Sequence, residues 1–330
     1  MDAVLVAGGA GYIGSYMCKL LADKGYLPVV LDDFSMGHRQ ATRWGVVVEA
    51  RIADQDALET LFARYPIAAV MHFAAFAYVG ESVTRPDKYY ENNVAQTIGL
   101  LGFLARRCTV PPFIFSSTCA TYGEPESIPI AEDHPQRPIN PYGRSKRMVE
   151  QILDDFSMAH GLRSVVLRYF NAAGADPEGQ VGEDHRPETH LIPLVLQTAL
   201  GRRASVDVYG DDYPTADGTC VRDYIHIHDL AQAHLLALEK LRDGFAGGSY
   251  NLGNGNGYSV LDVIETARRV TGKPIAVNRC PRRQGDPAAL VGASEKAVAQ
   301  LGWQQRFNDL EQIIATAWRW HRTHPDGYAD

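Results

Sequence analysis

The sequence predicts an α/β fold, a doubly wound parallel (Rossmann) sheet with a smaller C-terminal α/β lobe. Three observations carry this. Short apolar runs alternate with helix-length amphipathic stretches through the first half, a glycine-rich turn follows the first run directly, and the rhythm breaks in the Gly- and Pro-containing stretch from Gly174 to Pro187. Apolar runs separated by helices favour a parallel sheet covered on both faces.

The runs Val4–Ala7, Val29–Leu31, Val46–Val48, Ala68–His72, Phe113–Ser117 and Ser164–Phe170 read as strands. Apolar residues recur at three and four in Ile13–Lys24, Ala57–Arg64, Tyr89–Arg106 and Pro141–His160, which predicts helices. After Asn171 the elements no longer alternate regularly, and a second lobe is expected over 176–330, following a first domain over 1–175. The stretches Tyr224–Leu241 and Ser249–Leu252 are expected to return to the first sheet, so the boundary is not a single cut.

The 330 residues carry a net charge of −7 and 45% hydrophobic side chains, ordinary for a packed globular protein. No overall positive field draws nucleic acid or an anionic membrane, so any phosphate must be held locally by arginines and helix ends. The partner is expected to be a small molecule, with no nucleic acid and no membrane. Five cysteines stand singly, without the paired spacing of a zinc site or redox motif, and no metal is expected. Reduced thiols and an N-terminus unlike a signal peptide predict a cytoplasmic protein.

The turn Gly8-Gly9-Ala10-Gly11-Tyr12-Ile13-Gly14 joins the first strand to the first helix with the spacing GxxGxxG at Gly8, Gly11 and Gly14. Glycines there allow a pyrophosphate to approach backbone N–H groups at a helix N-terminus, although a plain strand-to-helix turn has similar needs. Asp32 closes the second strand roughly 20 residues on, where a carboxylate accepts from adenosine ribose hydroxyls and repels a 2′-phosphate. NAD is therefore expected over NADP. His72-Phe73-Ala74-Ala75 ends the fourth strand with the small residues that a backbone passing close to a cofactor requires.

Tyr142 and Lys146 form a YxxxK pair at the start of a helix, behind Asn140 as N-cap and Pro141 in the first turn. Their i, i+4 spacing puts phenol and ammonium on one face, and a nearby cation is expected to pull the tyrosine pKa down toward working pH. Upstream, Phe115-Ser116-Ser117-Thr118 ends a strand in hydroxyls at the sheet's carboxyl edge, where ligands of open α/β sheets bind.

A Ser/Thr, Tyr and Lys set beside a nicotinamide is the arrangement of the short-chain dehydrogenase/reductase superfamily, which the chain resembles. Within it the chain is similar to the UDP-glucose 4-epimerase family. The matching segments are GGAGYIG at Gly8–Gly14, HFAA at His72–Ala75, VGES at Val79–Ser82, YYENN at Tyr89–Asn93 and FSSTCATYGEP at Phe115–Pro125. They continue with NPYGRSK at Asn140–Lys146, LRYFNAAGA at Leu167–Ala175, DGTCVRDYIHIHDLA at Asp217–Ala231 and RRQGD at Arg282–Asp286.

The resemblance implies a UDP-glucose 4-epimerase that interconverts UDP-glucose and UDP-galactose through a 4-keto intermediate on tightly bound NAD. Thr118, Tyr142 and Lys146 would be catalytic. Gly8, Gly11, Tyr12, Ile13, Gly14, Asp32, Phe73, Ala74, Ala75, Asn92 and Phe170 would surround the cofactor, with Tyr142 and Lys146. Asn171, His190, Leu191, Tyr209, Arg222, Arg283 and Asp286 would bind the UDP-sugar beside Thr118 and Tyr142. Leu290, four residues after Asp286, would face the sugar's C2 substituent. The resemblance further implies a homodimer built on the two long helices.

Arg51 stands where this family usually has Asp after the third strand, and His190 where Asn is common. Tyr78 and the sequence around Cys119 also resemble the branch that includes UDP-arabinose 4-epimerases, which keeps a pentose or another UDP-sugar open as substrate. Related 4,6-dehydratases carry an Asp-Glu pair after the catalytic Thr, whereas Cys119 and Ala120 follow Thr118 here, so elimination lacks its acid and base. A dehydrogenase with exchangeable cofactor and a non-catalytic NAD-responsive binding protein are the remaining alternatives, the latter opposed by the intact Thr118, Tyr142 and Lys146.

Overall fold

The computed structural model describes residues 1–283 and 285–329. The first half holds β1 (Ala3–Ala7), α1 (Tyr12–Asp23), β2 (Leu27–Asp32), β3 (Val46–Glu49), α2 (Gln55–Arg64), β4 (Ile67–His72), α3 (Val79–Thr84), α4 (Pro86–Tyr89) and α5 (Gln96–Ala105). Next come β5 (Phe113–Thr118), α6 (Pro141–His160), β6 (Ser164–Tyr169), β7 (Asn171–Ala173), α7 (Leu191–Ala199), β8 (Val206–Tyr209), β9 (Val221–His226) and α8 (Ile227–Arg242). The chain closes with β10 (Gly247–Leu252), β11 (Gly257–Ser259), α9 (Val260–Thr271), β12 (Val277–Cys280), β13 (Ala289–Leu290), α10 (Glu295–Leu301) and α11 (Leu310–Thr323).

Seven strands form one sheet in the order β10-β6-β5-β4-β1-β2-β3, every neighbouring pair parallel. The order reverses between β1 and β4, and such a switch point opens a crevice at the strands' carboxyl ends. Alternation along β1 explains the double winding. Val4 and Val6 face α1 and α8 with Leu21, Leu230 and Leu238, while Leu5 and Ala7 face α5 and α6 with Leu100, Leu104 and Val149. The stretch from Ile227 to Leu252 thus packs into the first sheet, through α8 on one face and β10 at the edge.

A third core joins α7, α9 and α11 to β8 through Ile192, Leu196, Val208, Ile264 and Ile313. Between the two bodies, β9 pairs with β7, β11 and β13, so this small sheet abuts the first through Asn171, two residues beyond the end of β6.

One helix departs from its expected form. The stretch expected as Tyr89–Arg106 comprises α4, a π-helical segment over Tyr90–Ala95, and α5. Widening the turn there swings Asn93 toward the sheet, where it is buried and hydrogen-bonded on both sides of its amide.

Candidate active site

A cleft opens at the switch point, lined by Gly8, Gly11, Asp32, Ala74, Ala75 and Asn92 among others. Gly8 adopts φ +81°, and a Cβ there would lie 2.4 Å from the Ala74 N, so the glycine turn and the end of β4 touch backbone to backbone. A Cβ on Gly14 would fall 2.1 Å from the Gly8 carbonyl oxygen. Gly11 is the N-cap of α1 and has no side chain to occupy the first-turn N–H groups, which leaves them for an anion. Asp32 accepts from the N–H of Ala10 at 2.9 Å and of Phe34 at 2.9 Å, holding the glycine turn while lining the cleft. Burial raises its pKa and those N–H donors work against the rise. The close backbone approach, the uncapped helix end and the carboxylate fit an NAD moiety with free ribose hydroxyls.

Of the other residues expected at the cofactor, Phe73 packs at 4.8 Å from the His234 ring and Ile13 against the core beneath α1. Tyr12 donates to the Gly174 carbonyl at 2.7 Å and so ties α1 to the segment after β7. Arg51 lines the same cleft and pairs with Glu91 at 2.8 Å.

The reacting set meets at the carboxyl end of β5. Asn140 caps α6 by accepting from the Gly143 N–H at 2.8 Å, with Pro141 in the first turn. Helical spacing then carries Tyr142 and Lys146 along the face that meets β5. Lys146 is buried and donates to the Ser116 carbonyl at 2.8 Å, with its ammonium 4.8 Å from the Phe115 ring centre. Burial pushes Lys146 down to about 7, with the Glu150 carboxylate opposing. Tyr142 has moved opposite to expectation. Burial raises its phenol above the ordinary tyrosine value and nearby Tyr169 adds to this, while a hydrogen bond with Thr118 opposes it.

A second group forms across the small sheet. Asp286 pairs with Arg222 at 2.6 Å and with Arg283 at 3.2 Å, and the Arg283 guanidinium stacks 4.7 Å over the Tyr209 ring. Asn171 donates to the Asp223 carbonyl at 2.9 Å, one residue from Arg222. Leu290 lies opposite Arg222 in the β13–β9 register and packs with Cys119, Tyr122, Ile130 and Phe170 beside Thr118. His190 stands at the N-cap position of α7, which begins at Leu191, without a side-chain capping bond, and joins a cluster with Glu183, His185 and Glu188.

A model of the NAD dependent epimerase/dehydratase family matches residues 4–253. The chain belongs to this family. It is 52% identical to the UDP-glucose 4-epimerase of Halalkalibacterium halodurans over 327 residues, covering 99% of this chain and 98% of that one. Two solved structures superpose with TM-scores of 0.94. One is a UDP-glucose 4-epimerase from Brucella ovis in complex with NAD, 51% identical, covering 96% of this chain and 98% of that one. The other is from Bifidobacterium longum in complex with NAD+ and UDP, 38% identical, covering 99% and 100%.

In this member of the epimerase/dehydratase family the structure adds residues that sequence reasoning passed over. Asn93 accepts from the Phe76 N–H at 2.9 Å and donates to the Ser145 hydroxyl at 3.1 Å, joining the cofactor cleft to α6. It lies inside YYENN, from which only Asn92 was singled out. Glu150 accepts from Ser117 and, through both oxygens, from Arg168 at 3.1 and 2.8 Å, which locks α6 to β5 and β6 one turn beyond Lys146. Both charges are almost fully buried. Glu150→Gln should therefore cost about 3–5 kcal/mol by leaving Arg168 without its counter-charge. Urea unfolding measures this, and a loss under about 1 kcal/mol would show that α6 is held by other contacts.

Proposed function

We propose that the chain interconverts UDP-glucose and UDP-galactose by removing hydrogen from C4 of the hexose and returning it to the opposite face. The observation that carries this is the Thr118, Tyr142 and Lys146 set at the carboxyl end of β5, beside a cleft shaped for NAD and facing the paired Arg222, Arg283 and Asp286. When bound, NAD supplies the hydride acceptor and a fixed positive charge near Tyr142.

Tyr142 takes the proton from the sugar O4 as C4 is oxidised to a ketone, and gives it back when the ketone is reduced. Burial holds its phenol high, and the positive charge that NAD supplies would favour the phenolate that acts as base. Thr118 holds the O4 side of this exchange through its hydrogen bond to Tyr142. Lys146, buried against Ser116, orients the nicotinamide ribose. Arg222 and Arg283 offer planar donor forks to the diphosphate, and Asp286, which they position, accepts from ribose hydroxyls. The hexose lies between Thr118 and Leu290 and turns about its diphosphate linkage between the two half-reactions.

We further propose a homodimer through α5 and α6, where Ile98 and Met148 are exposed. Five unpaired cysteines suit a reducing compartment such as the cytoplasm, and among the described residues no helix is long and apolar enough to cross a membrane.

Tyr142→Phe should keep its fold and bound NAD while turnover falls by about 10²–10⁴. Near-normal turnover with cofactor retained would remove Tyr142 as the base. Leu290 fills the space an acetamido group would need, and overpacking costs about 1–3 kcal/mol. Leu290→Gly should thus raise the rate on UDP-N-acetylglucosamine relative to UDP-glucose by about ten-fold or more, and an unchanged ratio would place the gate elsewhere. Light scattering at micromolar concentration should report twice the 36.3 kDa chain mass, whereas a single chain mass would contradict the dimer.

A further inference from the structure

Between β7 and α7 the chain runs without regular structure, and within it four side chains spaced E-x-H-x-x-E-x-H converge. We propose that Glu183, His185, Glu188 and His190 form a zinc site that fixes this segment ahead of α7. One potential ligand atom from each residue lies within 4.8 Å of the other three. His190 Nδ1 stands 3.0 Å from Glu183 Oε1 and 2.9 Å from Glu188 Oε1, and His185 Nδ1 stands 3.2 Å from Glu183 Oε1 and 3.6 Å from Glu188 Oε2. A tetrahedral zinc ion with bonds of about 2.0–2.1 Å separates its ligands by about 3.3 Å. The His–Glu separations lie near that value, and the one ligand atom from each residue that lies within 4.8 Å of the others closes to it with small side-chain rotations.

The donor set agrees with the spacing. Two imidazole nitrogens and two carboxylates are zinc ligands, and neutral histidines leave a charge of −2 for a divalent ion to balance. His185 Nδ1 makes no hydrogen bond to any described residue although Glu183 Oε1 is 3.2 Å away, so the nitrogen is not aimed at that oxygen. The competing arrangement is a pair of imidazolium–carboxylate salt bridges. Burial opposes that arrangement, but Glu183 and Glu188 outweigh it and raise both histidines, at the cost of holding two like-charged rings with centroids 4.9 Å apart. One divalent ion supplies the same positive charge without that repulsion. His190, the most exposed of the four side chains, offers the entry path.

Four protein ligands leave no open position, so the ion is structural. Tyr12 of the glycine-rich turn and Tyr78 both set a ring edge-on to His185 at 6.2 Å. The zinc would therefore stiffen the segment where it packs against Tyr12 and Tyr78. Cysteine spacing could not reveal such a site, because no thiol takes part.

The test uses the untagged full chain, made in zinc-supplemented medium and desalted into metal-free buffer, with metal content read by elemental mass spectrometry. About one zinc per chain is expected. Chelation should lower the melting temperature by about 5 °C or more, and zinc but not magnesium should restore it. His185→Gln and Glu188→Gln, folded by circular dichroism, should each hold less than about one-tenth of a zinc, whereas Cys108→Ser and Cys280→Ser should hold the parent amount. Zinc below about one-tenth per chain, with no melting shift at roughly ten-fold excess, would reduce the cluster to an ion-pair network. Full zinc retention in His185→Gln and Glu188→Gln would place the metal elsewhere and equally overturn the proposal.

Discussion

The ammonium of Lys146 is housed inside the protein at the edge of the sheet, donating to the Ser116 carbonyl at 2.8 Å, and the placement of the reacting groups follows from how that charge is held. A buried amine is costly, and here the cost is limited by a carbonyl at the end of β5, the face of Phe115 and the field of Glu150 one turn away. Glu150 is in turn held by Arg168 from β6 and Ser117 from β5. Helix α6 is thereby registered against two strands by polar contacts in an otherwise apolar layer. Because Tyr142 lies one turn before Lys146 on the same helix, that registration delivers the phenol to Thr118.

The same logic explains how two bodies make one site. The glycine turn and the end of β4 approach until there is no room for a side chain at Gly8, which leaves a cleft walled by backbone and closed by Asp32. Opposite it, β9 carries Arg222 on a small sheet that begins at Asn171, two residues past the end of β6. Asp223 keeps that sheet in place by accepting from the N–H groups of Asn254, Gly255 and Gly292, and burial pushes its carboxyl up to about 6. Gly292 also makes room for the Phe170 ring, where a Cβ would lie 2.3 Å away. Phe170 and Leu290 therefore share one apolar cluster beside Thr118.

Much of this was legible in the residues. The β1 turn, Asp32, Thr118 and the Tyr142–Lys146 pair announce themselves because each is local: a strand, a turn and a helix within a few residues of one another. The π-helical turn at Tyr90–Ala95 was not legible, since its hydrogen-bond shift depends on Asn93 finding Phe76 and Ser145 from elsewhere in the chain. Glu150 and Arg168 look like ordinary surface charges in sequence, and only the packing of α6 on β5 and β6 buries them. The phenol of Tyr142 is expected low on the strength of its spacing from Lys146, but spacing says nothing of burial, and burial is the largest cause of its rise.

In the reaction proposed, the hydrogen leaving C4 is held in the site and returned to the same carbon. Incubating UDP-glucose deuterated at C4 with the protein in ordinary water, and reading the UDP-galactose by nuclear magnetic resonance, tests it directly. Deuterium should stay at C4 of the product with inverted configuration. Replacement of that deuterium by solvent hydrogen would contradict it and point to inversion by proton loss and recapture.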